Sequence, residues 1–170
     1  MKKLVIAVSI AVASLSSAFA DDGKINFTGV ITDDACTPVN DVSNPLEVPM
    51  GTVSSKAFST TQTANPHKFS ILLKDCPLAA TSAKVTFDGT ADSNVPSVLA
   101  LTQVAGVATN VGIQITDKQN VVVPLYTESS AYPLTVGDNS LDFVARYYKT
   151  GTTVTAGPAN STTNFTIVYN

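Results

Sequence analysis

The chain has no tryptophan, one histidine, two cysteines and few charges, and each shortage removes a class of function. Two cysteines and the distant His67 do not make a four-ligand zinc site at finger-like spacing. His67 is the only imidazole available as a general base. It sits in Asn65-Pro66-His67-Lys68, a loop context where a surface histidine is the simpler reading. No serine is framed as a nucleophile elbow, and no glycine-rich phosphate loop is present. Asp88-Gly89-Thr90-Ala91-Asp92 lacks the spaced ligands and distal glutamate of a calcium loop and reads as a turn. The sequence therefore points away from an enzyme and calls for no cofactor. Basic residues do not exceed acidic ones, with 10 against 13. That balance disfavours nucleic acid and anionic membrane as partners.

Long apolar runs are also missing after the first 20 residues. Within them, Met1-Lys2-Lys3 is a basic lead, Leu4 to Leu15 is apolar, and Ala18-Phe19-Ala20 is a small-x-small cleavage signature. The run falls short of the roughly 20 residues a spanning helix needs, so export is expected rather than stable membrane insertion. Residues 1–20 are assigned to a signal peptide. Its removal takes the 10 basic residues to 8, against 13 acidic, a net charge of −5. Both cysteines, Cys36 and Cys76, fall in the exported part, where one disulfide is the default.

What remains is rich in threonine, serine, valine and alanine, the composition of a β protein with hydroxyl-coated faces. Strand signals recur with turns between them. They fall at Leu46–Val48, Phe69–Leu73, Val85–Phe87, Val98–Leu101, Val111–Ile115, Val121–Val123, Leu141–Tyr147 and Phe165–Tyr169. Gly137-Asp138-Asn139 reads as a turn before the seventh of these. Val53 to Phe58 is the best place for a short helical turn. The pattern predicts an all-β chain with one domain, a sandwich rather than a closed barrel.

The two ends of this region resemble each other. Ile25, Phe27, Gly29 and Ile31 alternate with polar residues in the leader, and Phe165, Ile167 and Tyr169 alternate up to Asn170. Gly29 is out of place on an apolar strand face, since glycine weakens strands and marks a bulge or a close backbone approach. Read by periodicity alone, both segments are plain terminal strands. A leader with one strong apolar face belongs either to its own sheet or to another molecule.

Taken together, Ile25-x-Phe27-x-Gly29-x-Ile31, the cysteine at 36, Phe69-x-Ile71-x-Leu73 leading to Cys76, Gly157 fourteenth from the end and the penultimate Tyr169 resemble the type 1-like fimbrial subunits of chaperone–usher systems. The resemblance spans the mature chain. It implies an incomplete immunoglobulin-like β-sandwich lacking its last strand, with residues 21–33 as a donor-strand extension and 34–170 as the pilin domain. It also implies three kinds of partner: a periplasmic chaperone, an outer-membrane usher, and further copies of this and other fimbrial subunits. Ile25, Phe27, Gly29 and Ile31 would then enter a neighbour's groove. Gly157, Phe165, Ile167, Tyr169 and the carboxylate of Asn170 would be recognised by the chaperone. The expected destination is a surface fimbria that supports adhesion.

Two rivals stand beside this reading. One is a self-contained secreted β-sandwich that binds a ligand, with Tyr126, Tyr132, Tyr147 or Tyr148 stacking on a sugar. The other is a minor or adaptor subunit. A tip adhesin is disfavoured, because 150 residues with a donor-like leader leave no room for an extra lectin domain. A shaft subunit, most simply the major one, fits better.

Overall fold

Alternation of apolar and polar residues organises two antiparallel sheets. The computed structural model describes residues 24–29 and 35–170. Strand β1 is Thr37–Pro38, β2 Thr63–Cys76, β3 Ser82–Asp88, β4 Val111–Asp117, β5 Tyr132–Pro133, β6 Gly137–Lys149 and β7 Asn164–Tyr169. One sheet runs β1-β2-β6-β4 and the other β5-β3-β7. The long β2–β6 pair forms the middle of the first sheet, with Phe69 opposite Phe143 and Ile71 opposite Leu141. Their inward side chains meet those of β3. Phe87 packs edge-on to Phe143 with ring centroids 5.1 Å apart, and Phe69 stacks on Phe143 at 5.6 Å. Such aromatic pairs contribute about 0.5–1.5 kcal/mol each beyond area burial.

A short 3-10 helix covers Ser55–Ser59, within the region where a helical turn was expected. The Ser54 hydroxyl accepts from the Lys56 amide at its start, and Phe58 is its buried anchor.

Several expected strands are reduced or redrawn. Val98, Leu99 and Leu101 are buried, but the segment contributes only isolated bridges from Leu99 to Ala91 and Ile113. That contact covers the free edge of β4 with too few residues to form a ladder. Val121–Val123 is likewise one bridge, Val122 to Thr116, beyond a hairpin turn that Asp117 organises. The buried Asp117 carboxylate accepts from the amides of Gln119 and Val121 and from the Ser130 hydroxyl. Gly137 is not a turn outside the strand. It opens β6 opposite Cys76, with φ of +92°. His67 is not in a loop. It lies in β2 opposite Ala145, just past a bulge where Asn65 takes φ of +55°. A local Asn-Pro signal is overridden here by the sheet, which absorbs the proline at an irregularity.

Tyr132 is only 3% exposed, and its hydroxyl donates to the Asp142 carbonyl at 2.6 Å. Burial, reinforced by the negative charge of Asp117, pushes its pKa up to about 12. A phenol with a raised folded-state pKa contributes stability that is complete below its unfolded value near 10 and is lost as pH rises towards 12. The native protein is therefore expected to lose thermal stability between about pH 10 and 12. Tyr132→Phe is expected to flatten that decline. A melting series against pH checks this, and an equally steep fall in the variant contradicts it.

A candidate strand-accepting groove

One edge of the sandwich is unfinished. Strand β7 pairs with β3 on one side, placing Ala83 opposite Tyr169, Val85 opposite Ile167 and Phe87 opposite Phe165. The β3 residues are 0%, 0% and 1% exposed, whereas all three β7 partners are only half-buried. Directly opposed, inward-pointing side chains on one sheet face bury equally when strands lie on both sides. The difference marks β7 as an edge strand among the described residues. Among the described residues no strand pairs with its outer edge, which leaves a row of open backbone groups.

The facing wall is residues 46–50. Leu46, Val48 and Met50 are half-buried while Glu47 and Pro49 are exposed, the alternation of a strand. The expected strand at Leu46–Val48 is nevertheless not formed, since the segment pairs with no described strand. Its neighbour in a complete sheet would be the absent one.

Between these walls lies a cavity of about 950 Å³. Its floor comes from both sheets: Phe69 and Ile71 of β2, Ile113 and Ile115 of β4, and Phe87 of β3. Apolar core is thus reached through a slot. Asp41 and Glu47 are the charged residues on its rim, and no basic side chain lines it. Hydrogen bonds from the Ser43 hydroxyl and from the Asn44 and Ser43 amides hold the Asp41 carboxyl below its ordinary pKa. A second hollow of about 350 Å³, lined by Gly51, Phe58, Tyr147 and Gly157, shares Ala159 and Asn160 with the first.

The predicted residues distribute as follows. Cys36 and Cys76 form a disulfide, S–S 2.04 Å, that ties the start of β1 to the end of β2. Phe165, Ile167 and Tyr169 face inward along the open edge, and the Tyr169 hydroxyl donates to the Cys36 carbonyl at 3.4 Å. The main-chain oxygen of Asn170 accepts from the amides of Thr81 and Ser82, at 2.7 and 2.9 Å, and from the Thr81 hydroxyl. Gly157 is not on β7 but in the connection before it. A Cβ there would overlap the Gly106 carbonyl oxygen and lie 2.6 Å from the Ala108 nitrogen, so close backbone approach accounts for this glycine.

The leader is different. Residues 24–29 form no regular element and all are exposed, Ile25 by 78% and Phe27 by 92%. A Cβ on Gly29 would meet nothing within 4 Å. Ile31 lies outside the described residues, as does the expected signal peptide.

Sequence reading missed the wall at 46–50 as a wall, and the floor as a floor. The signal was present in the apolar alternation of Leu46, Val48 and Met50, but periodicity does not reveal a missing partner.

Comparisons with known proteins agree with this architecture. The sequence pattern of the family described as fimbrial protein matches residues 25–170. Long polar fimbria protein A of Salmonella typhimurium is 36% identical, over 99% of this chain and 97% of that protein. A solved antigen and type I fimbria protein of Burkholderia pseudomallei is 38% identical with a TM-score of 0.61, covering 85% of this chain and 96% of that one. The P pilus rod subunit PapA, at 20% identity, shares the fold with a TM-score of 0.66 over 79% of this chain and 99% of that chain.

Proposed function

This chain belongs to the fimbrial protein family, and we propose that its open groove accepts the leader of the next subunit and that residues 21–33 serve as that leader. The chain is a structural subunit of a surface fimbria of the chaperone–usher type, with an immunoglobulin-like sandwich that lacks its last strand. Such subunits are exported and assembled on the cell surface, and among the described residues no helix is long and apolar enough to cross a membrane. The family is one of structural subunits, and catalysis forms no part of the reading.

The observation that carries the proposal is the cavity of about 950 Å³, floored by core residues and walled by two extended segments with no strand between them among the described residues. A donor needs apolar side chains at period two, which Ile25, Phe27 and Ile31 supply. At about 1.5–3 kcal/mol each, they contribute about 5–9 kcal/mol before ordering costs. Ladder hydrogen bonds add to this and close the exposed edge. Strand addition by pilins is a known example of this recognition mode. Gly29 marks the point where backbone and groove come closest. Residues 1–20 act as the signal peptide and 34–170 as the pilin domain. A heterologous, non-closing contact of this kind generates a filament. The shaft, and most simply its major subunit, is the place such a chain fits, with adhesion supported by the fibre.

In the same reading, the chaperone holds the subunit by pairing with β7 and capping its end, with Phe165, Ile167 and Tyr169 as the apolar row, Asn170 as the terminus and Gly157 in the adjoining hollow. Tyr169→Ala is expected to lower the chaperone-bound periplasmic pool several-fold. Immunoblotting of periplasmic extracts, with co-purification of the chaperone, measures this. A self-contained binding module would instead fold without the chaperone. Unchanged levels together with chaperone-independent folding would favour that rival.

A further inference from the structure

Asp41 stands fixed at one end of the groove rim. Its Oδ1 accepts from the Ser43 hydroxyl at 2.7 Å and from the Ser43 and Asn44 amides at 2.8 and 2.9 Å. Those bonds keep the carboxyl ionised, and Oδ2 takes no partner among the described residues. The turn follows β1, and the Val39 amide before it donates to the Leu72 carbonyl at 2.9 Å. The Cys36 carbonyl, just ahead of β1, accepts from the Tyr169 hydroxyl, so this is the end of the groove where β7 terminates. The opposite end, lined by Met50 and Asn160, carries no charged side chain, and Glu47 lies between. In the leader, Lys24 is the only basic side chain, against Asp21, Asp22 and Asp33. Lys24 is exposed, and the one ion pair among the described residues, Lys84 with Glu128, does not involve it.

We propose that Lys24 is a positioning residue for strand donation, pairing with Asp41 of the subunit that receives the leader. The inference rests on the donor-strand reading and names what sets the direction and register of the strand. Every ladder among the described strands is antiparallel. A strand added beside β7 in the same pattern brings its first residues to the last ones of β7. Lys24, one residue before Ile25, then arrives at the Asp41 end. From Ile25 to Ile31 the leader covers about 20 Å, which carries Asp33 beyond the uncharged end. Inserted the other way, Asp33 would meet Asp41, and Lys24 would leave where the groove has no acid. Like charges placed together oppose that direction. Register is separated in the same way. A slip of two residues keeps the apolar face inward but moves Lys24 about 7 Å from Asp41. Because the turn already holds the carboxylate, only the lysine has to be ordered.

The test is displacement of the chaperone from full-length Gly29→Arg subunit by a synthetic peptide of residues 21–33, followed by native electrophoresis. At low salt, the Lys24→Glu peptide is expected to act about fivefold more slowly than the wild-type peptide. An Asp41→Lys subunit is expected to slow the wild-type peptide to a like degree and to restore the Lys24→Glu peptide. A Glu47→Lys subunit is expected to restore neither. On an Asp41→Asn subunit, which keeps an acceptor for the turn, the two peptides are expected to act equally fast. Salt at about 1 M is expected to erase the differences. A Lys24→Glu peptide as fast as wild type, or equally slow on every subunit variant, would overturn the pair and leave strand donation standing. Failure of the wild-type peptide to displace the chaperone from a subunit with Asp41 intact would overturn strand donation itself.

Discussion

Gly29→Arg is expected to abolish fibres while leaving chaperone capture intact. Its position is exposed, and a side chain there would meet nothing within 4 Å, so the substitution has no steric cost in the subunit itself. Glycine costs about 0.5–1 kcal/mol relative to alanine inside a strand, so its place between Phe27 and Ile31 is a penalty once the leader is ordered as one. On the proposed docking the leader would cross a groove whose floor of Phe69, Ile71 and Phe87 already carries large side chains, and a residue without one would offset that cost. An arginine would have to bury an unpaired charge in that floor or hold the strand away from it. Either outcome removes most of the gain from Ile25 and Ile31. Electron microscopy of cells and the periplasmic chaperone complex are the readouts. Normal fibres from the variant would refute the role of Gly29.

The second large effect concerns the disulfide. Replacing both cysteines, Cys36→Ser with Cys76→Ser, is expected to cost about 4 kcal/mol from a closed loop of 40 residues. Against the usual 5–15 kcal/mol of a folded domain, that is a severe loss. It falls on a sandwich whose edge is unfinished and whose β1 strand makes only two ladder pairs, Thr37 with Lys74 and Pro38 with Leu73. Without the bond little else holds the first residues of the domain in register. Those residues anchor the leader. The periplasmic yield of the double variant is expected to fall at least tenfold, with a lower melting temperature for whatever survives. A yield and melting curve equal to wild type would contradict this account of the bond.

The strands that the sequence displayed best are those whose partners exist. Phe69–Leu73, Val85–Phe87, Leu141–Tyr147 and Phe165–Tyr169 all lie inside ladders, because a buried face on one side forces period two. Ladder extent was not visible. Leu99 and Val122 make single bridges because they cover edges instead of extending sheets. The two-residue strands at Thr37–Pro38 and Tyr132–Pro133 are too short for any periodic signal. His67 was misplaced because Asn-Pro is read locally as a turn, whereas the β2–β6 pairing carries the chain through a bulge.

The groove was the least legible feature. Leu46, Val48 and Met50 show the alternation, yet their segment forms no strand, and the reason is the neighbour it lacks. The half-burial of Phe165, Ile167 and Tyr169 beside fully buried Ala83, Val85 and Phe87 exists only in three dimensions. Periodicity assigned those three β7 residues a face without indicating that the face was uncovered.

The most direct test of the central claim is deletion of residues 21–32, with the signal sequence retained, followed by expression with and without the chaperone. The truncated chain is expected to fold in the presence of the chaperone, to keep its Cys36–Cys76 disulfide, and to form no fibres. If it fails to fold even with the chaperone, the leader is part of the domain's own core. If it folds and still polymerises, the groove is filled by something other than the leader. Either result contradicts the assignment of the leader as the donor strand.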